Sequence, residues 1–186
     1  MKKALALLLP ALITVVSVSA QELPPVDKSP MDIAYYPANY PVLKIQNKVT
    51  EPLLARVVYS RPKKELRTIF GGLVEYGKIW RLGANEATEI EFFKNVTING
   101  KKIPKGRYTL YAIVNENTWT FIVNKETDTW GSFRYDSTLD AVRVEVPVQK
   151  MEEQVESLAM NFIKVNGHVS LVVAWENVKA SLPIYP

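Results

Sequence analysis

Between Tyr59 and Glu91 the chain sets Tyr59, Arg61, Arg67, Trp80, Arg81, Asn85 and Glu86 among short turns. These residue types support three uses. Two or three arginines grip an anionic group, such as a carboxylate or a sugar acid, through their planar forks of N–H donors. Trp80 then supplies a stacking wall and Asn85 an amide donor, which together describe a polar pocket. In the second use Glu86, made effective by burial, is the general acid or base of a hydrolase or isomerase. No second carboxylate at a definable distance and no nucleophile motif accompanies it. In the third, arginine and glutamate form a buried network that fixes a corner between strand and loop.

The placement of these groups follows from alternation. A strand over Ala84 to Phe92 puts Glu86, Thr88, Ile90 and Phe92 on one face and Asn85, Ala87, Glu89 and Glu91 on the other. The second face is the solvated one, so Glu86 points toward the core and must pair with a cation or take up a proton. Arg61, Arg67 and Arg81 are the nearby partners. Tyr59 and Arg61 share a face of an earlier strand, so a cluster of Tyr59, Arg61, Arg81 and Glu86 beside Trp80 is expected.

Other chemistries are excluded or weak. A single histidine, His168, rules out a histidine-based triad and a multi-histidine metal site, and it reads as a hairpin-turn residue. The absence of cysteine removes disulfides and thiolate metal sites. No metal and no cofactor is expected. Asp128, Asp136 and Asp140 form an acidic stretch that could chelate calcium, but they lack a fixed ligand spacing and read as a solvated loop. Asn95-Val96-Thr97 matches a glycosylation sequon, relevant only in a eukaryotic secretory pathway.

The N-terminus has its own chemistry. Lys2 and Lys3, an apolar run from Ala4 to Val16, and Val18-Ser19-Ala20 before Gln21 form the order of a secretory signal, so residues 1 to 20 read as a cleaved leader. The run is short for a bilayer span and carries Pro10, and no other stretch reaches about 20 apolar residues, so the mature chain is expected to have no membrane span. An exported, periplasmic or secreted protein is the expectation. Of the net charge of +4, Lys2 and Lys3 supply the only part lying in the leader, so a chain beginning at Gln21 carries +2. Basic and acidic residues alternate along it, and nucleic acid is not an expected partner.

Residues 21–41 hold Pro24, Pro25, Pro30, Pro37 and Pro41 beside Tyr35, Tyr36 and Tyr40. Proline at that density argues against a helix or a central strand, and predicts an extended arm whose second half lies against the domain. Order is expected from about Asp32, and residues 42–186 form a single all-β domain. Val142, Val144, Val146 and Val148 alternate with Arg143, Glu145 and Pro147 as a half-buried strand requires. Asn99-Gly100 and Asn166-Gly167 mark two-residue hairpins, and Asn115-Glu116-Asn117 marks a third. Further strands are expected over Leu53 to Ser60, Thr88 to Phe93, Leu158 to Val165 and Val169 to Trp175, with only a weak helix-period stretch at Met151 to Ser157. Eight or nine short strands bury their apolar faces most simply as an antiparallel β-sandwich, with a jelly roll as one form of it and a closed barrel as the alternative.

The blocks Tyr59-Ser60-Arg61-Pro62, Ile69-Phe70-Gly71-Gly72, Trp80-Arg81 and Gly83-Ala84-Asn85-Glu86-Ala87-Thr88 carry a resemblance, which continues through Gly106-Arg107-Tyr108, Trp119-Thr120, Trp130-Gly131 and Ala174-Trp175-Glu176. They resemble the family of exported bacterial proteins filed as domain of unknown function 2911. The resemblance spans nearly all of the chain after the leader and implies Gram-negative export and a single domain. It brings no activity, cofactor or catalytic residue. The leading expectation for function is therefore a noncatalytic envelope protein that binds a small molecule, glycan or protein partner. A hydrolase or isomerase centred on Glu86 comes next, then a structural or assembly domain in which Trp119, Trp130 and Trp175 fill the core.

Overall fold

The computed structural model describes residues 23–186, and the expected leader lies outside the described residues. The larger layer is an antiparallel sheet running β1 (Met31–Tyr36), β2 (Ala55–Ser60), β4 (Glu89–Phe92), β7 (Gly106–Val114), β8 (Thr118–Asn124) and β9 (Asp140–Pro147), with the short β3 (Ile79–Trp80) paired to β7. Facing it are a hairpin of two long strands, β10 (Gln149–Val165) and β11 (His168–Ile184), and the small hairpin β5 (Val96–Ile98) and β6 (Lys101–Ile103). The small hairpin joins the end of β11 through reciprocal Thr97–Tyr185 backbone bonds of 2.7 and 2.9 Å.

Alternation explains the two layers. Val57 and Tyr59 of β2, Ile90 and Phe92 of β4, Leu110 and Ala112 of β7, and Phe121 and Val123 of β8 all turn inward. They meet Phe162, Leu171, Val173 and Leu182 of the long hairpin in one continuous core. The structure is the expected antiparallel sandwich, with eleven strands among the described residues instead of eight or nine. At its centre Phe70, Trp80, Trp119 and Trp175 pack ring to ring, with Trp80 and Trp175 stacked at 6.1 Å and 17°. Such aromatic pairs contribute about 0.5–1.5 kcal/mol each beyond their buried area.

Several local expectations need correction. Tyr40–Ile45 is a helical turn, α1, with Pro41 in its first turn, where a missing N–H costs nothing. Met31–Tyr36, inside the proline-rich segment, is the edge strand of the larger sheet, paired in full register with β2. Met151 to Ser157 is strand and not helix, paired to β11 with register shifts between Lys150 and Val155 and again between Val155 and Ala159. Each such irregularity breaks the period of two, and the remaining spacing imitates a helical one. Asn99 and Gly100 both take positive φ, as a tight hairpin demands, whereas at the second Asn-Gly turn only Gly167 does.

One crossover positions the candidate site. After β2 the chain leaves the larger sheet at Arg61 and pairs with β10: Lys64 N–H donates to Glu156 O at 2.7 Å, and Leu158 N–H donates to Pro62 O at 3.0 Å. This corner closes one end of the sandwich, and the loop over residues 81–88 folds against it.

Candidate functional site

Ser60, fully buried at the end of β2, anchors that loop. Its hydroxyl donates to Ala84 O and accepts from Ala84 N–H, both at 2.6 Å. The approach is so close that a Cβ on Gly83 would lie 2.7 Å from Ser60 Oγ, so only glycine fits there. Thr88 holds the other end, its hydroxyl donating to Leu82 O at 2.8 Å and its N–H to Arg81 O at 3.0 Å. Leu82, wholly buried, takes a φ of 56°, a left-handed conformation that costs a branched residue energy and persists only where surroundings impose it.

The loop sends its charged residues to opposite sides. Asn85 has a φ of 58°, which ends the extended run before β4 starts at Glu89. A strand over Ala84 to Phe92 is therefore half loop, and the alternation used to place Glu86 does not hold. Glu86 is exposed, not on the core face, and it makes no ion pair with Arg61, Arg67 or Arg81. The expected cluster of Tyr59, Arg61, Arg81 and Glu86 does not form.

Tyr59 and Arg61 belong to another network, whose acid is Asp32 of β1. Arg61 Nη1 pairs with Asp32 Oδ2 at 2.9 Å and Nε donates to Leu158 O at 3.1 Å. The Tyr59 hydroxyl accepts from Met160 N–H at 3.0 Å, and burial raises its pKa. The corner thus carries an arginine–carboxylate pair with Asp32 in place of Glu86, and the pair is partly exposed, not the buried network expected. Asp32 lies directly across from Tyr59 in the β1–β2 register. The apolar Met31 and Ile33 of β1 are the exposed ones, so alternation would have placed Asp32 in solvent, and nothing in the sequence pattern announced it as the partner.

Arg81 remains in a cleft of about 240 Å³, walled by Pro62, Val74, Trp80 and Trp175 and shared with Arg67. Trp80 Nε1–H donates to Gly83 O at 3.3 Å, which sets the indole's orientation. The Arg81 Nε–H is buried with no hydrogen-bond partner, and its guanidinium has no ion pair among the described residues. Desolvation by the surrounding protein pushes its pKa below the usual arginine range. Arg67 spends Nε on Lys64 O at 3.2 Å and Nη2 on Lys63 O, both neutral acceptors that leave its charge uncompensated. Glu75 lines the adjoining hollow together with Arg81 but forms no ion pair with it. Of the sequence candidates, the structure brings together Arg67, Trp80 and Arg81. It separates Tyr59 and Arg61 at the corner and Glu86 on the far side of the loop, and gives Asn85 a backbone role, its carbonyl accepting from Gly131 N–H at 2.9 Å.

The acidic stretch is dispersed among structural duties. Asp128 pairs with Arg107, Asp136 accepts from the Thr138 N–H and hydroxyl at 2.8 Å, and Asp140 pairs with Arg143 at 2.7 Å. Among the described residues no group of three histidines or carboxylates is disposed to hold a metal ion. His168 opens β11 beside the turn, its ring 5.0 Å from that of Tyr185. No helix among the described residues is long and apolar enough to cross a membrane.

Fold and cleft together define a single class: an antiparallel β-sandwich with an arginine-lined cleft at one closed corner. Residues 41–184 match the family described as Protein of unknown function (DUF2911), and the chain belongs to it. No curated protein and no solved structure matches the chain.

Proposed function

We propose that this is an exported, noncatalytic binding domain whose corner cleft takes a small anionic molecule, carboxylates and sugar acids being the class that fits. The observation that carries the reading is Arg81, a guanidinium with a buried, unsatisfied N–H and no counter-charge. Leaving such a donor unpaired costs about 1–3 kcal/mol, which an incoming carboxylate offsets by accepting it. Arg67 adds a second positive charge, and the edges of Trp80 and Trp175 give an apolar wall for the ligand's body. The strained Leu82 and the doubly anchored Ala84 hold Arg81 in position before any ligand arrives. Glu86 lies outside this cleft, so the arrangement supports binding and not acid–base turnover.

Isothermal titration calorimetry of the chain from Gln21 onward, with glucuronate against neutral glucose, tests this. Glucuronate is expected to bind with Kd at or below about 1 mM and glucose not at all. Arg81→Leu should abolish the heat while keeping or raising the melting temperature, because it removes a desolvated charge. Equal binding of the two sugars, or undiminished glucuronate binding by Arg81→Leu, would reject the proposal. Intact mass of protein from the cell envelope tests export: a chain starting at Gln21 is expected, and one retaining Lys2 and Lys3 contradicts it.

A further inference from the structure

The outer face of the larger sheet carries a second concavity, of about 350 Å³, which shares no lining residue with the arginine cleft. One wall is the indole of Trp130, 61% exposed, where Trp80, Trp119 and Trp175 are all buried. A purely structural role would have put Trp130 in the core with Trp119 and Trp175; it stands on the surface instead. It is not on a loose loop. Residues 129–131 run antiparallel to residues 85–87, with Ala87 N–H donating to Thr129 O at 3.0 Å and Gly131 N–H to Asn85 O at 2.9 Å. Ser132 Oγ donates to Ile79 O at 3.2 Å beyond it. An indole fixed at its backbone on both sides and left open to solvent is a ready-made aromatic surface.

The charged groups that line it are of one sign. Glu86, Glu89 and Asp128 line the concavity, and no lysine or arginine does. Glu89 and Asp128 share a single cation, Arg107, with Glu89 also accepting from Asp128 N–H at 2.7 Å. Glu86 has no ion pair among the described residues. The Thr129 hydroxyl is engaged with that of Tyr111 at 3.1 Å. Ionised carboxylates only accept hydrogen bonds, so these groups suit a cation better than a sugar, whose hydroxyls also need donors. Met31, Val58 and Ala87 complete the lining with apolar surface.

We infer that this concavity binds a small organic ammonium ion, its cationic head against the face of Trp130 and near the unpaired Glu86, and its apolar body along Met31 and Val58. A cation over an indole face is held by the ring's quadrupole, and the surplus of carboxylates adds attraction at longer range. The site goes beyond the anion cleft, which has the opposite charge and a separate location.

The probe is choline, compared with 3,3-dimethylbutan-1-ol, which has the same shape without the charge. Proton–nitrogen correlation spectra of the chain from Gln21 onward follow the indole N–H of Trp130. Choline is expected to shift that resonance in a saturable manner at millimolar concentration, and the neutral alcohol to leave it in place. Calorimetric affinity for choline should fall about ten-fold in Trp130→Ala and about three-fold or more in Glu86→Gln, as loss of the cation–π contact or of one carboxylate implies. Glu86 is exposed, so its variant tests the site without disturbing the fold. Trp130→Phe keeps a ring and should retain part of the affinity. No shift of the Trp130 signal with choline, an equal shift with the alcohol, or unchanged affinity in Glu86→Gln would each overturn the inference.

Discussion

Backbone φ decides which way Tyr59 and Glu86 face. Tyr59 sits within a regular strand, so its predicted inward face is the observed one. Glu86 follows Asn85, whose left-handed backbone turns the chain and carries the carboxylate outward. Asparagine tolerates that conformation better than most residues, but nothing in its type alone announces that it adopts it. The consequence is measurable. Glu86→Gln should change the stability of the unliganded protein by no more than about 0.5 kcal/mol, as exposed substitutions do. Tyr59→Phe should cost about 1–3 kcal/mol, because Met160 N–H is then buried without an acceptor. Urea denaturation of the two variants beside the parent decides both. A Glu86→Gln loss of the size expected for Tyr59→Phe would show the glutamate to be structural.

The elements that were legible are those whose turns and strands are local and regular. The Asn99-Gly100 hairpin and the pair β7 and β8 are set by turn chemistry and by β-branched and aromatic residues alone. The first half of β10 and the second half of β11 were not legible, because a bulged strand owes its conformation to the partner across from it and not to its own pattern. The loop over residues 81–88 was the least legible of all. Its shape is dictated by Ser60, more than twenty positions away, and by the absence of a side chain at Gly83. Ser60→Ala strips the half-buried Ala84 N–H and C=O of their shared partner and should cost about 1 kcal/mol or more. Amide hydrogen exchange at Ala84 should accelerate with it. Gly83→Ala drives a methyl against Ser60 Oγ, so the double variant should lose less stability than the two single losses combined. Strict additivity would show that the two residues do not act on each other.

For the molecule as a whole, the two faces of the larger sheet have different fates. One is the sandwich core, and the other is covered in part by residues 125–136, which lay Tyr135 over Tyr111 with ring centroids 5.2 Å apart. Tyr135 donates to Asp140 at 2.7 Å and accepts from Arg143 at 2.6 Å. Burial first, and then the bond to Asp140, raises its phenol pKa from 10.0 to about 12. A phenol held neutral by the fold stabilises it fully below the unfolded pKa and loses that contribution as pH rises through the folded one. The melting temperature of the parent should therefore fall more steeply than that of Tyr135→Phe between about pH 10 and about pH 12. Parallel curves would mean that the phenol ionises alike in both states. The division of the sheet's faces also sorts the four tryptophans by environment, with three indoles buried and Trp130 exposed to water. The protein's fluorescence is thus two spectra superimposed, a blue emission from the core and a redder one from the surface. Caesium, a cation, is expected to quench the second emission preferentially, because Trp130 lies among carboxylates. Because Trp80 and Trp175 wall the arginine cleft and Trp130 walls the acidic one, the two ends of a single emission band report separately on the two sites without any label.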